Sequence, residues 1–213
     1  MSFDYSVVKD RKYYDIVKGP CKFALKLGLR IKCEGVENIP KEGAFILASN
    51  HIHFVDPAVL LANFPRPIHF MAKVEAFKYK ITAWLLTHLN TFPVSRGRSD
   101  KASIDYAVKL IENGHVMGIF PEGTRSKDGE IHNFKAGAFI LAKDAGVPIL
   151  PIVLDGTNRV VRKGWLMNWR NKITIRVLPP ISAEEVKERD IKDVMGQVHD
   201  DMVSALAEIR AAK

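Results

Sequence analysis

The apolar residues of this 213-residue chain fall into short runs separated by turn residues, with a helical period between many of the runs. Ala44-Phe45-Ile46-Leu47-Ala48, Ile68-His69-Phe70-Met71-Ala72 and Val116-Met117-Gly118-Ile119-Phe120 are short and largely uninterrupted, the pattern of strands buried on both faces. Leu29 to Glu34 and Ile173 to Leu178 alternate apolar with polar residues and predict half-exposed strands. Thr91 to Arg98 reads as another short strand, ending in two arginines around Gly97. The run from Gly146 to Leu154 is apolar but holds Pro148 and Pro151, which predicts an edge or irregular strand.

Helices are expected between these strands. One begins at Asp56-Pro57, with Asp56 as the N-cap and proline in the first turn. Others cover Tyr79 to Leu89, Ser99 (as cap) to Glu112, and Phe134 to about Gly146. Trp84, Leu85 and Leu86 are expected to face the core or line a tunnel. At the end of the chain, Ile191, Val194, Met195, Val198, Met202, Ala205, Leu206 and Ile209 trace one apolar stripe, a packing helix without chemistry. The expected fold is therefore α/β: a single domain with a mixed sheet of about seven strands flanked by helices. A short N-terminal amphipathic helical segment precedes it, which Gly19-Pro20 is expected to break into two helices.

Charge changes the reading of that first segment. The chain carries a net charge of +8, and Lys9 to Lys32 holds eight basic residues against two acidic ones. Lys18, Lys22, Lys26 and Arg30 recur every four residues among Tyr13, Tyr14, Ile16, Val17, Phe23, Leu25, Leu27 and Leu29. This mixture suits an anionic membrane surface, although a solvated basic face is an equal alternative. Residues 1–29 are thus read as a basic, membrane-associating segment and residues 30–213 as the main domain. Trp165 and Trp169 fit a second interfacial contact and a packed loop equally well. No RNA-recognition, helix-turn-helix or zinc-finger pattern points to nucleic acid. Cys21 and Cys33 make no disulfide or metal framework, and with no signal peptide they read as reduced thiols. No run of about 18 apolar residues is available to span a bilayer.

The candidate chemistry lies where the Ala44–Ala48 strand ends and the next helix begins. His51 and Asp56 are five positions apart, so they meet only if the chain between them turns. A carboxylate on one imidazole nitrogen fixes the tautomer and leaves the other nitrogen as a base near neutral pH. Taken alone, such a pair is more often only an N-cap and a loop histidine. His51-Ile52-His53 also fits a metal site, but no nearby cysteine or acidic cluster completes a ligand set. Elsewhere, Arg96 and Arg98 suit an anionic ligand. Gly123 lets backbone approach a ligand, Thr124 and Arg125 supply donors, and Glu122 offers a carboxylate for a cation or hydroxyl.

Four separated motifs then stand in order. They are Asn50-His51-Ile52-His53-Phe54-Val55-Asp56; Phe92-Pro93-Val94-Ser95-Arg96; Phe120-Pro121-Glu122-Gly123-Thr124-Arg125-Ser126; and Val147-Pro148-Ile149-Leu150-Pro151. Together with Lys73-Val74-Glu75, they resemble the glycerolipid acyltransferase family with its H-x4-D motif, in particular the bacterial 1-acyl-sn-glycerol-3-phosphate acyltransferases. The resemblance covers about Ile31 to Leu178. It implies direct acyl transfer from acyl carrier protein or coenzyme A to the sn-2 hydroxyl of a lysophosphatidic acid, with His51 as general base and Asp56 orienting it. It implies that Arg96 and the Glu122, Gly123, Thr124, Arg125 loop hold the glycerol phosphate, with Lys73 a further candidate. It implies no cofactor, no metal and no serine or cysteine acyl-enzyme, and no G-x-S-x-G elbow occurs. The Tyr79 to Leu89 helix would line an acyl slot.

Ser95 departs from the aspartate often found in the second motif, and Arg98 adds a charge beside it, so either arginine fits the phosphate role. The N-terminus carries no long apolar helix, which favours peripheral, monotopic attachment at the cytoplasmic face of the cell membrane. Glycerol 3-phosphate or another lysolipid is the alternative acceptor, and a basic lipid- or nucleic-acid-binding module the non-enzymatic alternative.

Overall fold

The computed structural model describes residues 3–5, 14–95, 100–160, 168 and 171–212. Its elements run α1 (Tyr14–Gly28), β1 (Leu29–Glu34), β2 (Phe45–Ser49), α2 (Asp56–Asn63), β3 (Ile68–Lys73), α3 (Lys80–His88), β4 (Thr91–Val94), α4 (Lys101–Glu112), β5 (Val116–Ile119), α5 (Gly137–Ala145), β6 (Ile149–Asp155), β7 (Asn171–Val177), α6 (Ala183–Glu188) and α7 (Ile191–Ala211). The strands form one seven-stranded sheet in the order β1-β7-β6-β2-β5-β3-β4. From β6 to β4 every pairing is parallel. Strand β7 returns antiparallel to β6, and β1 lies parallel to β7. The sheet is mixed, as the sequence predicts.

Side chains alternate across a strand, so each buried strand feeds two cores. Phe45 and Leu47 of β2 join Phe70, Leu150, Leu154, Tyr14 of α1 and Val59, Leu60 and Phe64 in and just after α2. Ile46 and Ala48 join Met117, Ile149, Val153 and residues of α4, α5, α6 and α7 on the opposite face. Burial on both faces is why these strands read as unbroken apolar runs. The path of the chain accounts for the division of helices. Moving β2 to β3 to β4, the crossovers through α2 and α3 run one way along the sheet. Through α4 and α5 they run back. Right-handed crossovers therefore put α2 and α3 on one face and α4 and α5 on the other. Helix α1 packs against α2, and Lys18 Nζ ties the two by donating to the Phe64 carbonyl at 2.8 Å.

Five local expectations are corrected. Strand β6 lies between β7 and β2, buried along its whole length, not at an edge. The N–H of Ile149 donates to Ile181 on the β7 side, so alternation points position 151 the same way. The donor that Pro151 lacks would face the gap between the Ile149–Ile181 bridge and the β6–β7 ladder, which starts at Ile152. Its carbonyl still accepts from Leu178 N. Helix α1 continues through Gly19-Pro20. Ile16, whose carbonyl would receive a residue-20 N–H, is itself exposed, so water can replace that donor. Asp100, not Ser99, caps α4, its carboxylate accepting from Ser103 N. The cap of α2 is Val55, not Asp56, whose side chain is turned elsewhere. Trp84 and Leu85 point outward: Trp84 is 53% exposed. Helix α3 buries Ala83 instead, so the expected core or tunnel wall is not formed by these two residues.

Candidate active site

Because β6, β2, β5, β3 and β4 are parallel, their carboxyl ends share one edge of the sheet. Open α/β sheets bind ligands outside such an edge. Ser49, Ile119, Lys73 and Val94 end their strands there, and the loops that follow β2 and β5 meet.

Past the end of β2, the Asn50 side chain continues the ladder that the backbone has left. Its Nδ2 donates to the Leu154 carbonyl at 2.9 Å, and its Oδ1 accepts from Leu154 N at 2.7 Å. The chain then turns, Asp56 N donating to the His53 carbonyl. This turn is what lets positions 51 and 56 meet. His51 Nδ1 lies 2.8 Å from Asp56 Oδ2. The same Oδ2 accepts from Ile52 N at 2.7 Å and His53 N at 2.8 Å. Thr157, just after β6, donates its hydroxyl to Asp56 Oδ1 at 2.5 Å. Asp56 is fully buried and the His51 side chain is 17% exposed. The Ile52 and His53 N–H groups can only donate, so Oδ2 is an acceptor; Nδ1 then carries the proton in its contact with Oδ2, and Nε2 is left as the basic nitrogen.

The His51 ring is fixed from its flat side as well. Phe120 stacks on it with centroids 4.1 Å apart, and Phe70 of β3 stacks on Phe120 at 5.5 Å. Gly118 in β5 makes room for this column: a Cβ there would lie 2.3 Å from a ring carbon of Phe70.

The loop after β5 is bound to the loop after β2. Glu122 is only 6% exposed. Its Oε1 accepts from His51 N at 3.0 Å and its Oε2 from His132 N at 3.2 Å. In return, Ser126 N donates to the His51 carbonyl at 2.7 Å. Burial raises the Glu122 carboxyl above the ordinary range, against these two N–H donors, which lower it. The carboxylate thus faces inward, holding two loops in register. Gly123 adopts a φ of 70°, in the left-handed region, and the Lys135 ammonium lies across it. Thr124, Arg125, Lys135 and Lys73 are exposed along this edge. Burial lowers His53 below the ordinary imidazole value. Asp56 opposes this, and Arg125 adds to it; Arg125 directly precedes Ser126, whose N–H bonds the His51 carbonyl. Arg96 and Arg98 lie outside the described residues, as do Trp165 and Trp169.

Sequence reasoning missed Thr157, Lys135 and Phe120 as neighbours of the site. Phe120 sits within a quoted motif, and a threonine directly after Gly156 at a strand end was a readable, if weak, signal. The chain between residues 128 and 132 closes on itself. Asp128 accepts from the Ser126 hydroxyl, from Glu130 N and at His132, which holds it down to about 2.

A His–Asp pair with a buried carboxylate thus lies beside a cationic loop at the carboxyl edge of the parallel strands. The chain belongs to the acyltransferase family: the family profile described as Acyltransferase matches residues 30–155. It is 31% identical over 185 residues to the 1-acyl-sn-glycerol-3-phosphate acyltransferase of Borreliella burgdorferi, covering 86% of this chain and 74% of that protein. It is 32% identical over 205 residues to the protein of the same name from Saccharomyces cerevisiae, covering 93% of this chain but 65% of the yeast one. In three dimensions it is similar to the crystal structure of the 1-acyl-sn-glycerophosphate (LPA) acyltransferase from Thermotoga maritima. The TM-score is 0.80 at 28% identity, covering 93% of this chain and 80% of that one.

Proposed function

We propose that this protein transfers a fatty acyl group from a thioester, on acyl carrier protein or coenzyme A, to the sn-2 hydroxyl of 1-acyl-sn-glycerol 3-phosphate. The observation that carries the reading is the His51 Nδ1–Asp56 contact at 2.8 Å, set beside the exposed Arg125 and Lys135. His51 Nε2 takes the hydroxyl proton as the oxygen attacks the thioester carbonyl carbon. The tetrahedral intermediate collapses with cleavage of the carbon–sulfur bond. The imidazolium returns its proton to the departing thiolate, so the products are an ester and a thiol. Asp56 keeps Nδ1 protonated and balances the imidazolium charge. Thr124, Arg125 and Lys73, with Arg96 from the second motif, hold the phosphate. Gly123 lets backbone approach it. Glu122 acts behind them by holding the loop. The names of the relatives support the acceptor, and the anionic phosphate matches the cations supplied.

The substrate and product are lipids, so the protein works at a membrane surface, with the basic residues of 1–29 as one contact. In α1, Ile16, Lys22 and Phe23 are exposed. No helix among the described residues is long and apolar enough to cross a membrane.

The test is thiol release from acyl-coenzyme A and acyl carrier protein with lysophosphatidic acid or glycerol 3-phosphate as acceptor. Activity with lysophosphatidic acid that disappears in His51→Ala is the expected result. Activity with glycerol 3-phosphate alone keeps the mechanism and changes the acceptor. Activity that survives His51→Ala removes the proposed base.

A further inference from the structure

Exposed large apolar side chains are spread unevenly over this molecule. Among the described residues, those on the face covered by α4, α5 and α7 occur singly, as Ile104, Ile140 and Val203; isolated residues of this kind are normal. On the other face, residues 74–85 alone expose Val74, Tyr79, Ile81, Trp84 and Leu85, with Ile81 at 82% and Tyr79 at 67%. Within α3, Ile81, Trp84 and Leu85 stand at i, i+3 and i+4, and the His88 ring one turn on lies tilted against Trp84, with centroids 4.4 Å apart. This is the apolar stripe of an amphipathic helix, but it is turned to solvent and only Ala83 is buried. Lys73, Lys78 and Lys80 flank the stripe, with Glu75 the one acidic residue among residues 73–88.

The stripe also has a position. Strand β3 ends at the catalytic edge of the sheet, and α3 starts a few residues later. Its first turn and the preceding residues Val74 and Tyr79 therefore sit at that edge. Phe54, between His51 and Asp56, is exposed at the same edge. Helix α3 shares its face of the sheet with α1, which exposes Ile16 and Phe23.

We propose that the outward stripe of α3, with Val74, Tyr79 and their lysines, is a docking surface for an anionic phospholipid bilayer. It lays the mouth of the His51–Asp56 site against the lipid that supplies the acceptor. The role given to the site in this statement rests on the acyl-transfer reading; the docking surface does not. An apolar stripe rimmed by cations matches the interface of such a bilayer, where apolar side chains enter the acyl boundary and lysines meet the phosphates.

The test is flotation of the purified full chain with vesicles of phosphatidylcholine alone or mixed with phosphatidylglycerol. Ile81→Glu, Trp84→Glu and, as a control on the other face, Val203→Glu are compared with the parent. The parent is expected to partition onto the mixed vesicles. Each α3 variant loses about tenfold in partition, because one anchor is removed and a repelled charge added. Val203→Glu partitions as the parent does. The proposal is overturned if the parent ignores mixed vesicles, if the α3 variants bind like the parent, or if Val203→Glu loses as much as they do. It is also overturned if light scattering shows a dimer that Trp84→Glu splits without altering flotation, since the stripe then covers a second copy. Thiol release by the parent with a water-soluble, short-chain acceptor is measured in parallel. Its absence defeats the acyl-transfer reading whatever the vesicles show.

Discussion

Asp56 gathers four donors, and they are not equivalent. Three converge on Oδ2, and the Thr157 hydroxyl alone serves Oδ1. In Asp56→Asn the amide nitrogen cannot face three N–H groups, so it must take the Oδ1 position, where Thr157 can rotate to accept. The variant should fold, lose its charge and release thiol roughly 10²- to 10⁴-fold more slowly. Thr157→Val removes one bond to a charged acceptor, a loss of roughly tenfold to a hundredfold in kcat/KM. Thr157→Ser should restore most of it, and the acid limb of the pH–rate profile should move in the valine variant alone. Glu122 titrates differently. Its folded pKa is raised, so between the ordinary Glu value of about 4.3 and that raised value the folded chain binds more proton than the unfolded one. Its contribution to stability therefore falls as pH rises through this interval. Urea denaturation across the interval should show a flatter slope in Glu122→Gln.

The elements differ in how openly the sequence declares them. β2 and β5 were legible because burial on both faces leaves an unbroken apolar run. The α7 stripe was legible because one face packs against the sheet. β6 misled because proline argues against a central strand, and only the neighbouring pairing pattern reveals that the missing donor falls in a gap. α6 was overlooked although Ser182 and Glu185 form a full capping box. α3 misled because an apolar helix is expected to face inward, and its outward rotation depends on neighbours. The pair His51 and Asp56 was readable from spacing and motif, whereas the Phe70–Phe120–His51 column depends on strand order, which the residues do not announce. Gly118→Ala tests that column. The added methyl should cost about 1–3 kcal/mol by overpacking. It should also lower kcat beyond what loss of folded protein explains, since displacing Phe70 displaces the support of the His51 ring. Calorimetry and single-turnover rates on the folded fraction separate the two effects.

Across the whole molecule, the candidate site and the packing of the last helix lie in different regions. The candidate site is built from the carboxyl ends of the parallel strands, while α7 crosses the face behind β6, away from it. Leu206→Ala, at a position 3% exposed, should cost about 2–5 kcal/mol in urea denaturation yet leave thiol release per folded molecule unchanged. Arg176 of β7 joins Glu34 of β1 at 2.7 Å and Glu208 of α7 at 2.8 Å, fastening the reversed end of the sheet at a distance from the site.

One amide joins these regions. The N–H of Leu154, in a buried central strand, donates to the side chain of Asn50, the residue immediately before His51. Its rate of deuterium uptake should therefore respond to the loop after β2 as well as to the ladder around it. A single slowly exchanging proton would report whether the site is assembled, with no acceptor, donor or membrane in the tube.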